Sequence, residues 1–415
     1  MSKEEKKLNR RDFIKTAGMT GVGSLVALST GLWSRVLADE ATPTPTPTKT
    51  PEKPKMPLRA FGKSGREVSI LCLGGIIDFT TNQILLKKSL DWGINYWDTA
   101  NSYNGGNSES GIGRFFEKFP EIRKKVFLVT KSGSRDPGGL TRHLNRSFER
   151  LKTDYIDLFF VHGLRNVDEL SPEIKAWAEK AKKEKKIKLF GFSTHRDMAN
   201  QLLGASKLGW IDGIMMTYNY RLMQKDDMKK AVEACHKAGI GLTAMKTQGG
   251  GPIKTDSEEE LKLAGHFIKK GFTPHQAKIK AVWENEAIAS LCSQMPNLTI
   301  LSANVAAALD RTKLETSDLR TLKIHADKTC TGYCAACSEI CDKAMGKDTR
   351  IADVMRYMMY YRSYGDTERA RKHFAELPSD IRSNMTRLDY SAAERACPQN
   401  IPIGRVMNEA TRLLS

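Results

Sequence analysis

The chain has 415 residues, 40% of them apolar, which is an ordinary content for a globular protein with a real core and leaves room for one large domain and a smaller one. Its formal charge of +18 would suit an acidic partner or a membrane surface. The lysines and arginines are scattered over helical stretches without interleaved stacking aromatics, so no nucleic-acid partner is expected.

Residues 1–38 read as an export signal. Lys3, Lys6, Lys7, Arg10 and Arg11 form a basic head, Ala17 to Leu32 is a mildly apolar run, and Val36-Leu37-Ala38 offers small residues for cleavage. The head contains NRRDFIK, which resembles the twin-arginine signal with Asn9 where Ser or Thr is usual. That resemblance implies the twin-arginine translocation machinery as a partner and a periplasmic or secreted protein. Residues 39–57 alternate Pro with polar residues and read as a stiff, extended linker.

From residue 58 to about 316, β-type and α-type segments alternate at a spacing of roughly thirty residues, as successive βα units do. Strands are expected at Val68 to Gly74, Asn95 to Thr99, Val126 to Lys131, Leu158 to His162, Leu189 to Ser193, Ile214 to Asn219, Leu242 to Thr247 and Leu298 to Ser302. Such a set points to a closed (β/α)8 TIM barrel, an α/β fold. A doubly wound sheet is the rival, but no GxGxxG turn follows the first strand.

Three of these strands end on polar residues, Asp98, Lys131 and His162, and Tyr103 lies in the loop after Asp98. Strand ends converge on one mouth of a parallel barrel, so the four can meet. A Tyr hydroxyl with a pKa near ~10 needs an adjacent ammonium to stabilise its phenolate, and a buried ammonium needs a counter-ion. Lys131 and Asp98 supply these, and His162 can hydrogen-bond a substrate oxygen.

The segments GINYWDTANSYNGGNSESGIG, VFLVTKSG, DLFFVHG and GFSTH resemble the aldo/keto reductase family in order and spacing across the barrel. The resemblance implies a catalytic tetrad at Asp98, Tyr103, Lys131 and His162, with NADPH delivering hydride to a small carbonyl substrate or NADP removing it from an alcohol. It implies cofactor contacts at Ser193, Thr194, Met215, Met245, Lys246, Gly249 and Gly250. The chain departs from the family's pattern here: Thr194, Met215 and Met245 stand where Asn, Gln and Tyr are usual. No Lys or Arg precedes Arg311 in TILSANVAAALD, so NAD and NADP are both open. A thioether still packs on a flat ring, and glycines 249 to 251 allow close backbone approach to a phosphate.

Residues 317–415 read as a helical domain holding CTGYCAACSEIC and a later RACPQ. Cys334, Cys337 and Cys341 with the distant Cys397 have iron–sulfur spacing, with Cys330 as an alternative ligand. The stretch resembles a reduced ferredoxin-like tail with cysteines for a single [4Fe–4S] cluster. Two disulfides and a structural zinc are the rival readings. The two helices between the cysteines carry Val354, Met358, Tyr361 and Phe374 and read as packing surface. The expected function is an exported NAD(P)-dependent oxidoreductase with an accessory cluster and a possible redox partner. The alternative is an electron-transfer or binding protein on a barrel that has lost nicotinamide turnover.

Overall fold

The computed structural model describes residues 55–254 and 257–415; the expected export signal and nearly all of the linker lie outside the described residues. A hairpin of β1 (Leu58–Ala60) and β2 (Glu67–Ser69) precedes eight parallel strands. These are β3 (Leu71–Gly74), β4 (Tyr96–Asp98), β5 (Phe127–Ser132), β6 (Ile156–Val161), β7 (Ile187–Thr194), β8 (Gly213–Thr217), β9 (Gly241–Met245) and β10 (Ile288–Gln294). They close into a barrel in the order β10, β3, β4, β5, β6, β7, β8, β9, with helices in the connections.

Side chains alternate across each strand, which decides what the barrel holds. Cys72, Tyr96, Phe127, Val129, Leu158, Phe160 and Met215 share one buried cluster with Phe61 from the hairpin. Their neighbours Leu71, Leu73, Trp97, Leu128, Phe159 and Phe190 join the cluster under the helices. Continuing the first set by two residues along each strand arrives at Asp98, Lys131 and His162. The parity that fills the barrel therefore also aims these three at its mouth.

Two expectations are corrected here. The run Val68 to Gly74 is two strands, split at Ile70, the first belonging to the hairpin and the second to the barrel. The eighth barrel strand is not Leu298 to Ser302 but β10, which pairs Leu291 with Leu71 and Cys292 with Cys72. Residues Leu298–Leu309 are a helix, begun where the Asn297 side chain accepts the Ile300 amide at 2.9 Å. The local cap outweighs the apolar look of TILSANVAAAL, while β10 hides behind Ser290, Ser293 and Gln294.

After the barrel, helix Thr316–Lys328 lays Leu322 and Ala326 against Phe267, Phe272 and Ala281. The following helices, Ser338–Met345, Ile351–Met359, Thr367–Ala375, Ser391–Ala396 and Ile403–Leu414, build a core of their own around Val354, Met358, Phe374, Val406 and Met407. Lys53–Ser415 nevertheless forms one unit. The C-terminal chain docks on the loops after β7 and β8: Asn219 Nδ2 donates to Tyr333 Oη at 3.0 Å, the Asp197 amide to the Ala336 carbonyl at 3.0 Å, and Ser338 Oγ to Asp197 Oδ2 at 2.6 Å. No described helix is long and apolar enough to cross a membrane.

Candidate active site

Lys131, at the end of β5, is the hub of the mouth. Its ammonium donates to Asp98 Oδ1 at 2.5 Å, to the Thr99 carbonyl at 2.8 Å and to Tyr103 Oη at 3.3 Å. Tyr103 reaches it because the loop after β4 runs alongside β5, with the Asn101 amide bonded to the Lys131 carbonyl at 3.1 Å. Asn104, Gly105 and Gly106 then turn through the left-handed region into helix Asn107–Lys118. The Tyr103 and His162 rings meet edge to face at 5.6 Å. Cys292, on β10 just beyond β3 in the barrel order, hydrogen-bonds the Asp98 side chain.

Burial and charge compete in this cluster. Burial works to lower the Lys131 pKa, but the negative charge of Asp98 and the Tyr103 oxygen outweigh it, so the ammonium is held. Burial pushes the Tyr103 phenol up to about 12 against the pull of Lys131, so it is protonated at neutral pH. Burial, reinforced by Lys131 and Arg369, keeps His162 well below its ordinary value and neutral. A protonated phenol, an ammonium beside it and a neutral imidazole make a proton donor with its stabiliser and an oxygen-binding N–H.

The roof of the mouth comes from the far end of the sequence. The π-helical turn Tyr360–Tyr364 places Tyr360 over Lys246, whose ammonium lies 4.4 Å from that ring centre and 4.7 Å from that of Tyr364. Arg369 lies over Tyr360 at 4.3 Å. A cavity between barrel and roof is lined by His195, Thr217, Lys246, Arg356 and Tyr333, and His195 Nδ1 is 3.1 Å from Thr217 Oγ1. His195, Arg356, Tyr360 and Arg369 are not among the residues the sequence reading singled out. His195 alone carried a local signal, since it continues the inward parity of Leu189 and Ser193 along β7.

The model of the family described as "Aldo/keto reductase family" matches residues 72–308. The chain belongs to the aldo/keto reductase family. It is 30% identical over 279 residues to the oxidoreductase YrpG of Bacillus subtilis, covering 60% of this chain and 81% of that protein. It is 23% identical over 285 residues to the L-galactose dehydrogenase of Arabidopsis thaliana, covering 62% of this chain and 89% of that one. The holo form of aldo-keto reductase AKR11C1 from Bacillus halodurans superposes with a TM-score of 0.54 at 23% identity, over 66% of this chain and 97% of that structure, which bears on the fold alone. This aldo/keto reductase is thus an oxidoreductase, and dependence on NADP(H) is typical of its family.

The residues expected to hold the nucleotide divide into two groups. Ser193, Met215 and Met245 face the barrel interior at or just below the mouth, a small hydroxyl and two thioethers that fit the flat nicotinamide end. Thr194 is turned away, its hydroxyl donating to the Leu164 carbonyl at 2.9 Å. The phosphate end, Lys246, Gly249 and Gly250, lies under the C-terminal chain in this conformation. A Cβ on Gly250 would stand 3.1 Å from that of Ser363, and one on Gly251 only 1.8 Å from the Gly332 carbonyl oxygen. Ser363 Oγ donates to the Gly251 carbonyl at 2.6 Å. The close approach expected of a phosphate is made here by the chain itself, and no Lys or Arg occurs between Ile288 and Asp310 to add a cation from β10.

Cys334, Cys337, Cys341 and Cys397 line one cavity, walled by Ile340, Ile351, Met355 and Pro398. The run between them is not one helix: Ala336 adopts φ +58, and a helix begins only at Ser338. Cys397 arrives from the end of helix Ser391–Ala396. Cys330 lies in the preceding turn, Cys330–Gly332, and is not on that lining. Among the described residues no three His, Cys, Asp or Glu side chains converge closely enough for a single metal ion.

Proposed function

We propose that this chain is an exported aldo/keto reductase that interconverts a small carbonyl compound and its alcohol at Tyr103, and that it carries one [4Fe–4S] cluster on Cys334, Cys337, Cys341 and Cys397. The observation that carries the catalytic part is the single ammonium of Lys131 bridging Asp98 and Tyr103. In reduction the Tyr103 hydroxyl gives its proton to the carbonyl oxygen. Lys131 offsets the phenolate that forms, Asp98 keeps Lys131 charged inside the barrel, and the neutral His162 holds the oxygen in line. A nicotinamide nucleotide, typical of the family, would supply the hydride, and Ser193, Met215 and Met245 would hold its ring.

Four thiols around one cavity, from two segments more than fifty residues apart, support the cluster reading. A zinc ion holds its four sulfurs at about 2.3 Å and so needs them tightly gathered. A cubane offers each cysteine a separate iron corner and suits a wider ring of thiols. The NRRDFIK head supports export by the twin-arginine route, which carries folded proteins and would bring a cluster out already inserted.

The test is Tyr103→Phe, which keeps the ring and removes the hydroxyl. Carbonyl reduction should fall by about two to four orders of magnitude with little change in nucleotide affinity. Wild-type rates from that variant would mean that the proton comes from elsewhere.

A further inference from the structure

Three cysteines lie in the barrel, apart from the five after Asp310, and two of them stand side by side. Cys72 on β3 and Cys292 on β10 are Cα partners in the parallel ladder, so their side chains leave the same face of the sheet. That face is the barrel interior: Cys72 belongs to the inner cluster and Cys292 packs against it. The two strands run close together here, since a Cβ on Gly74 would stand 2.7 Å from the Ser293 carbonyl oxygen. Neighbouring strands lie about 4.8 Å apart, within the roughly 4.4–6.8 Å between Cα atoms that a disulfide spans. Side chains aimed inward from a closed barrel also converge, which brings the two sulfurs nearer than a flat sheet would. Cys235, the third, has a partner of its own, the Leu202 carbonyl at 3.3 Å.

The two thiols differ in a way that suits two roles. Cys72 is fully buried, and burial together with the neighbouring Cys292 pushes its thiol well up, so it is no nucleophile at rest. Cys292 is half-buried and hydrogen-bonds Asp98, a carboxylate that can take the thiol proton. Cys292 is therefore the sulfur that a small oxidant entering by the mouth meets first. Buried thiols in apolar surroundings are otherwise inert, and the carboxylate beside the outer one sets this pair apart.

We propose that Cys72 and Cys292 form a redox site beneath the tetrad, at which a small peroxide links β3 to β10 by a disulfide and withdraws Cys292 from Asp98. The Cys292 sulfur attacks one peroxide oxygen and the O–O bond breaks. The thiol proton passes by way of Asp98 to the departing oxygen, which leaves as water. Cys72 then attacks the sulfur of the Cys292 sulfenic acid, the S–O bond breaks, and hydroxide leaves with the Cys72 proton as a second water. In all, two thiols give up two electrons and one peroxide is reduced to two waters. Asp98 loses a donor that favours its charged form, and Lys131 is held less firmly as a result. Only the effect on turnover rests on the carbonyl-reducing reading of Tyr103.

The experiment treats the full chain, prepared without air, with hydrogen peroxide, and follows it by alkylation, peptide mapping by mass spectrometry and assay of carbonyl reduction. Peptides joined through Cys72 and Cys292 should accumulate. The rate should fall by about tenfold, the size of effect of losing one hydrogen bond to a charged group, and recover on adding dithiothreitol. Cys72→Ala lacks the second thiol, so its Cys292 should pass on to the sulfinic acid and dithiothreitol should no longer restore the rate. Cys292→Ala should be indifferent to the same dose, which separates the pair from damage to the C-terminal cysteines. Recovery of both Cys72 and Cys292 as alkylated free thiols overturns the proposal, and so does a wild-type Cys292 that reaches the sulfinic acid as readily as in Cys72→Ala. A disulfide formed with no change in rate, or an equal fall in Cys292→Ala, overturns the link to Asp98. The mapping needs no turnover, so a protein that reduces no carbonyl can still show the disulfide, and failure of the one reading is distinguishable from failure of the other.

Discussion

Two imidazoles at the mouth are held neutral, and this has a consequence for acid stability. Burial keeps both His162 and His195 well below their ordinary pKa, with Lys131 and Lys246 respectively adding the largest charge effect. In the unfolded chain they protonate near ~6.5, while in the folded chain they do not. The unfolded state therefore binds more protons below that pH, and the stability present above ~6.5 is lost as pH falls toward the depressed folded values, by up to about 1.4 kcal/mol per pH unit for each group. Thermal melts across this range should show a steep acid limb that His195→Gln makes shallower. An unchanged limb in that variant would mean that His195 is protonated in the native protein.

At the scale of elements, the contact between the loop after β9 and the C-terminal chain is the tightest in the roof. Gly251→Ala inserts a methyl 1.8 Å from the Gly332 carbonyl oxygen, which is backbone and cannot swing away as a side chain would. Overpacking of this kind typically costs about 1–3 kcal/mol, so the variant should melt lower and be cut faster by protease within residues 330–365. If the roof has to lift for nucleotide to reach Lys246 and Gly250, the same variant should also bind NADPH more tightly. The cysteine run belongs to this scale as well. Cys334→Ala, Cys337→Ala, Cys341→Ala and Cys397→Ala proteins prepared without air should each lose iron and the broad absorbance near ~400 nm, and Cys330→Ala should keep both. Iron retained in Cys397→Ala but lost in Cys330→Ala would move the fourth ligand to the other end of the run.

For the whole molecule, the proposed export route and the proposed cluster would be coupled through folding. A twin-arginine receptor reads a planar guanidinium pair, so Arg10→Lys with Arg11→Lys should leave the protein in the cytoplasm, which cell fractionation can measure. Normal periplasmic yield from that double variant would sink the export reading. A cluster-free protein should keep its barrel, because the barrel core from Leu71 to Leu301 and the C-terminal core around Val354 and Met407 are separate clusters. Its helices after Ser338 should loosen, since they would lose the group that joins Cys397 to the earlier run.

How much of this was legible beforehand depends on the range of the signal. YWD, VFLVTK and DLFFVH declare their strands by apolar runs and their inward residues by parity. Both are local properties of the backbone, and together they assign Asp98, Lys131 and His162 to one mouth from the sequence alone. The spacing of Cys334, Cys337 and Cys341 is likewise local, and Cys397 stood out by its Pro. The eighth strand was misplaced because Ser290, Ser293 and Gln294 dilute its apolar pattern, and a helix cap at Asn297 claims the more apolar segment after it. The roof was beyond the reach of any pattern. Tyr360, Arg356 and Arg369 lie about two hundred residues from His162, and nothing periodic links such positions. Only the docking of the C-terminal chain on the loops after β7, β8 and β9 decides that glycines 250 and 251 meet the chain itself and that Tyr360 covers Lys246, because long-range contacts are set by the packing of whole elements and leave no mark on the local sequence.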